Sequence, residues 1–174
     1  GTETNGPLSL PDRDHQGMAG WWLKDSPYSP PTDMYAYIAD WLTIYSPDIV
    51  LLHGGTNELY SSRGGDVTLN HLDAMIRRIF ETKPSIRLVV ACIIGRVPDQ
   101  YNLTTENFDI YQAGIPNIVN SYATAGRKIY LADMHATLNK NTDYADILHP
   151  NQTGYEKMAA VWADVLTSQV FTSW

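Results

Sequence analysis

Near its C-terminus the chain carries Asp146-Ile147-Leu148-His149-Pro150. Histidine is the side chain whose ordinary pKa suits proton transfer near neutrality. A carboxylate three residues earlier can reach its Nδ1–H, fix the tautomer and stabilise the imidazolium formed when the ring takes a proton. Proline holds the residue before it in extended backbone, so His149 stays out of any following helix with its ring free to face a cleft. Taken alone, an Asp-x-x-His also reads as a capping aspartate and a surface histidine.

Two further segments have chemistry of a complementary kind. In His53-Gly54-Gly55-Thr56-Asn57-Glu58 the glycines let the backbone approach a ligand closely, and the Asn57 amide could donate to a developing oxyanion. In His15-Gln16-Gly17-Met18-Ala19-Gly20-Trp21-Trp22, Gly20 could present a backbone N–H while the paired tryptophans wall an acyl or sugar pocket. Each segment also reads as an ordinary glycine-containing turn. His15, His53, His71 and His135 have no metal-ligand spacing and read as structural.

The elements that must position these residues follow from periodicity. Residues 1–33 are rich in Gly, Pro, Asp and Ser and read as an irregular connection. Thr32-Asp33 could cap a helix over 34–45, where Met34, Ile38, Trp41, Leu42 and Tyr45 share a face. The run 48–53 predicts a strand buried on both faces. Leu69, Leu72, Met75, Ile76, Ile79 and Phe80 define a second helix, and 86–94 a second strand. A helix over 107–125 is expected to kink or split at Pro116 and to stop at Gly126. A third strand over 128–134 and a last helix over 153–170 complete the series. Strand–helix alternation with buried β-branched runs predicts one α/β domain over 1–174, a parallel sheet with helices on both faces.

Composition narrows the function classes. The chain has 174 residues, enough to bury about 70% of its unfolded surface around one core. Net charge is −7 with no basic stripe, which argues against nucleic acid and against anionic membranes and favours neutral substrates. No stretch is long and apolar enough to span a bilayer. Cys92 is the single cysteine and sits in an apolar run, so no intrachain disulfide can form. Two glycosylation sequons, Asn102-Leu103-Thr104 and Asn151-Gln152-Thr153, would matter in a secreted protein.

Order and spacing give the three segments more weight together than apart. The chain resembles the SGNH (GDSL-like) hydrolase superfamily, in the branch that contains family 3 carbohydrate esterases (acetyl xylan esterase-like). The resemblance rests on Gly20, on Gly55-Thr56-Asn57-Glu58 and on Asp146-x-x-His149. Framing phrases support it: Asp14-His15-Gln16-Gly17, Pro47-Asp48-Ile49-Val50-Leu51-Leu52, and Leu148-His149-Pro150-Asn151 with Gly154-Tyr155. It implies a three-layer αβα, flavodoxin-like parallel sheet, with His149 as general base and Asp146 as its orienting partner. Gly20 N–H and the Asn57 amide would be two of three oxyanion donors. Glu58 stands where the family usually has aspartate.

The family's Gly-Asp-Ser block, which supplies the nucleophile, does not occur in these 174 residues. The only Gly-Asp, Gly65-Asp66, is followed by Val67. Ser26, Ser29, Ser61 and Ser62 read as loop residues. Gly1-Thr2-Glu3-Thr4-Asn5-Gly6 resembles the segment after the family's second strand, so the first strands are expected to lie outside the chain. The expected function is hydrolysis of small acyl esters, such as acetyl groups on plant polysaccharide, without metal or organic cofactor. Completion by an N-terminal segment or by self-association is expected. A secreted location is implied. The alternative is a catalytically inactive carbohydrate-binding or interaction domain on the same scaffold.

Overall fold

The structure is a computed structural model that describes residues 3–4, 14–61, 63–95 and 105–173. Two short strands, β1 (Glu3–Thr4) and β2 (Asp14–His15), pair antiparallel. Then come α1 (Met34–Tyr45), β3 (Ile49–Leu52), α2 (Thr56–Tyr60), α3 (Gly65–Thr82) and β4 (Arg87–Ala91). The chain continues with α4 (Thr105–Thr124), β5 (Ile129–Ala132) and α5 (Gln152–Val165), which passes into a π turn at Leu166–Val170 and a 3-10 turn at Phe171–Ser173. β3, β4 and β5 form a parallel sheet in that order, with Val50 opposite Leu88 and Val90 opposite Leu131.

Alternation along β4 divides the core. Leu88 and Val90 join Ile38, Leu72, Ile79, Phe108 and Ile115 beneath α1, α3 and α4. Val89 and Ala91 point the other way and pack with Ala132, Met134 and Val165 beneath α5. The result is the predicted three-layer α/β/α arrangement, because a strand carrying apolar side chains on both faces needs cover on both.

Helix limits reflect local chemistry. Asp33 is the cap of α1, accepting from Ala36 N at 2.9 Å, and Ser46 closes the helix in the left-handed region at φ 45°. Gly126, at φ +82°, ends the turn after α4. Pro116 does not split the helix: α4 is helical on both sides of it. A mid-helix proline forfeits one backbone bond, and the buried face of Phe108, Tyr111, Ile115 and Val119 holds the rest of the helix on the sheet. Before α3 begins at Gly65, the loop after β3 winds into the short helix α2.

The larger departure concerns β3. Its sequence predicts burial on both faces, but only Leu52 is buried and Leu51 is 44% exposed. Among the described residues β3 pairs with β4 alone and is the outer strand of the sheet. Beside β3 lies an apolar groove of about 640 Å³, lined by Met34, Trp41, Val50, Leu51, His53 and Trp162 among others.

Candidate active site

The carboxyl ends of the parallel strands gather the three chemistry-bearing loops, as expected at this end of an α/β sheet. Gly20, Asn57 and His149 line one cleft of about 290 Å³, together with His53, Tyr60 and Phe108. Asp146 lies at its rim beside His149.

The Asp146–His149 pair is built by local geometry. Asp146 Oδ1 accepts the backbone N–H groups of Leu148 and His149, both at 2.7 Å, and Oδ2 lies 2.9 Å from His149 Nδ1. An acceptor-only carboxylate on Nδ1 leaves Nε2 as the unprotonated ring nitrogen. The loop is pinned on both sides. Ala145 N donates to His149 O, and Asn151 caps α5 by accepting from Gly154 N while its amide donates to Thr142 O. Buried Asp143 holds Asn139 N and Lys157 beneath it. Gly154 must be glycine here, since a Cβ would lie 2.3 Å from Asp143 O.

The backbone N–H groups of His149 and Leu148, and then the His149 ring, pull the Asp146 carboxyl down to about 2. With its folded pKa depressed, this carboxylate contributes order that is complete above the ordinary aspartate range and is lost as pH falls through about 2. The amide resonances of Leu148 and His149 are therefore expected to titrate near pH 2. A midpoint in the ordinary aspartate range, about 4, would show that Asp146 does not hold the loop.

The same lining carries the two expected donors. Gly20 has φ +76°, a conformation that suits glycine, and its N–H has no partner among the described residues. Asn57, on α2, donates through Nδ2 to Trp21 O at 2.9 Å, which leaves its second amide proton for the cleft. One hydrogen bond thus ties the two expected oxyanion donors together. Tyr111 fixes the start of α2 from below, donating to Gly54 O at 2.8 Å. Gly55, at φ +104°, has no room for a Cβ, which would meet Tyr111 Oη at 2.5 Å.

Glu58 holds the chain just beyond Gly20 from within the core. It is fully buried, accepts from Leu23 N at 3.1 Å and Lys24 N at 3.4 Å, and takes His71 Nδ1 at 2.8 Å. The far side of His71 faces Asp25, with Nε2 to Oδ2 at 3.4 Å. Burial pushes the Glu58 carboxyl up, and its hydrogen bonds oppose that shift. Sequence reasoning missed His71 as a participant; a polar residue on the apolar face of α3, beside Leu72 and Met75, was the available signal. His53 is also set apart: its ring is buried at the end of β3, Nε2 has no partner among the described residues, and desolvation lowers its pKa to about 4.

Among the described residues lining this cleft and its rim none is serine. Ser26 bonds Thr32 in its own turn and Ser61 ends α2. Ser62, the sequon at 102–104 and most of residues 1–6 lie outside the described residues. A sequence model of the GDSL-like lipase/acylhydrolase family matches residues 12–157. The chain belongs to this family. Family relatives include an Acetivibrio thermocellus protein that bears an endoglucanase name, 36% identical over 127 residues, and a multidomain esterase of Ruminococcus flavefaciens, 30% identical over 177 positions. These matches cover 72% and 92% of the chain but span only 52% and 21% of the relatives' own lengths. A Clostridium thermocellum family 3 carbohydrate esterase superposes with a TM-score of 0.77 at 32% identity, over 97% of this chain and 76% of that one. A family 3 carbohydrate esterase from Talaromyces cellulolyticus, at 23% identity and TM-score 0.74 over 92% and 73% of the two chains, shares the fold.

Proposed function

We propose that this chain forms the base and oxyanion side of a serine esterase acting on acetylated carbohydrate. The observation that carries the reading is the Asp146–His149 pair, whose histidine shares a cleft with Gly20 and Asn57. In this reading a serine Oγ attacks the acyl carbonyl as His149 Nε2 takes its proton. The carbonyl oxygen becomes an oxyanion held by Gly20 N–H and the Asn57 amide. Collapse expels the sugar hydroxyl, which leaves with the proton returned by His149. Water, deprotonated by the same nitrogen, then releases acetate. In the strand-completed protein Asn57→Ala is expected to lower kcat by about 10²–10³ with KM little changed, as read from initial rates on an aryl acetate.

The serine is proposed to arrive on a strand added to the free edge of β3. Three features support this: the unpaired edge, the apolar groove beside the strand, and the buried His53 Nε2 at the end nearest the cleft. The endoglucanase name of one relative suggests glycoside cleavage instead, but that needs two carboxylates flanking the bond. Asp146 is the only carboxylate among the described residues lining the cleft and its rim.

A second reading, a carbohydrate-binding domain without turnover, is favoured by the absence of serine from the described lining. Aryl acetate hydrolysis and labelling by a fluorophosphonate separate the two. Residues 1–174 alone are expected to show neither, and a strand-bearing polypeptide that brings a serine is expected to restore both. Inactivity of the completed protein, with retained binding of xylo-oligomers, would establish the second reading.

A further inference from the structure

Beside the catalytic cleft, and joined to it through Gly95 and Phe108, lies a second pocket of about 450 Å³. Asp109, His135, Lys140 and Tyr144 extend its lining beyond those two residues. Its walls are set from behind. Tyr144 Oη donates to Gly95 O, and the Phe108 and His135 rings lie 5.7 Å apart, tilted by 41°.

The orientation of His135 can be worked out bond by bond. Gln112 is buried on α4 and meets Ile93, just beyond β4, as a neighbouring strand would. Its Oε1 accepts the Ile93 N–H at 3.1 Å, and its Nε2 donates to the Ile93 carbonyl. The backbone thereby fixes which end of the amide is oxygen. The second Nε2 proton has one destination, His135 Nδ1 at 2.7 Å. That ring nitrogen must be the acceptor, so neutral His135 carries its proton on Nε2. Gln112 is buried while His135 is exposed in the pocket wall, and the chain of bonds presents the pocket with a donor of fixed identity.

We infer that this pocket is the subsite for the neutral sugar that bears the acyl group, with His135 Nε2–H donating to a ring hydroxyl. The lining suits that ligand class. The His135 donor matches a hydroxyl group, and the aromatic residues Phe108 and Tyr144 in the lining match the apolar C–H groups of a pyranose. Asp109 and Lys140 carry opposite charges, so the pocket has no net preference for an ionic ligand. Its continuity with the cleft lets it take the alcohol part of the ester. The inference rests on the esterase reading for that role, but the binding itself does not.

The test uses xylotetraose, which is neutral and carries no ester, with cellotetraose as the second arm. Long-range proton–nitrogen correlation on the protein is expected to find His135 as the Nε2–H tautomer; the Nδ1–H tautomer would overturn the inference. Xylotetraose is expected to shift the His135 and Tyr144 resonances. His135→Phe, an exposed change that keeps an aromatic ring there, is expected to weaken binding at least tenfold. Equal binding by this variant, or shifts confined to Gly20 and Asn57, would overturn it. Comparable shifts with cellotetraose would place the recognition in hydroxyls shared by both sugars. Neither readout needs a nucleophile, so failure of the esterase reading and failure of the subsite give different results.

Discussion

His149→Ala is expected to lower kcat for an acetyl ester by about 10⁴–10⁶ in the strand-completed protein, with KM nearly unchanged. The ring is 65% exposed and its side-chain hydrogen bonds go to Asp146, so the melting temperature should stay within about 2 °C of the parent. That separation of rate from stability is the signature to measure, by single-turnover kinetics with p-nitrophenyl acetate beside thermal unfolding. A rate loss below tenfold would remove His149 from the proposed mechanism. Asp146→Asn is the finer probe. An asparagine Oδ1 can still accept the backbone N–H groups of Leu148 and His149, so the loop keeps its shape. Its amide nitrogen would then face Nδ1 and select the wrong tautomer, at a cost of about 10⁴ in kcat.

Glu58→Ala has the largest expected effect on stability. It strips the acceptor from Leu23 N–H, Lys24 N–H and the His71 ring inside a closed core. A buried donor left without a partner costs about 1–3 kcal/mol, and the Lys24 bond is long and part-exposed, so the sum is about 3–5 kcal/mol. For a chain of this size that lowers the melting temperature by roughly 10 °C. The pH dependence has a definite sign. A carboxyl raised by burial contributes stability that is whole below its unfolded value and is lost as pH rises through its raised folded value. The gap between parent and variant should therefore be widest on the acid side and narrow with rising pH, as chemical denaturation at several pH values would read. A gap that widens with pH would mean that Glu58 is held as a carboxylate by His71. Because Leu23 and Lys24 come directly after Gly20, Trp21 and Trp22, the variant should also lose turnover alongside Asn57.

What could be read from the chain depended on how local each contact is. The cap of α1 by Asp33 and the Asp146–His149 pair span three residues each, and both stand where their spacing puts them. The bond from Asn57 to Trp21 crosses 36 residues, and only the family resemblance brought those segments together beforehand. Glu58 and His71 sit on different helices, and nothing in either neighbourhood announces the other. The exposure of Leu51 follows from the strands expected outside the chain and not from the composition of β3. Ile49–Leu52 has the same composition whether it is a central strand or an edge, because burial is decided by neighbours. That Pro116 does not split α4 depends on the core that holds the helix down, which the local sequence does not show.

The free edge of β3 has a consequence for timing. The Asp146–His149 loop is completed by contacts within α5 and its approach, with no contribution from that edge. If the nucleophile arrives with the strand that closes the sheet, then hydrolytic power is the last property the molecule acquires. Such an esterase would stay silent while incomplete, and its rate would report the extent of assembly rather than the amount of chain.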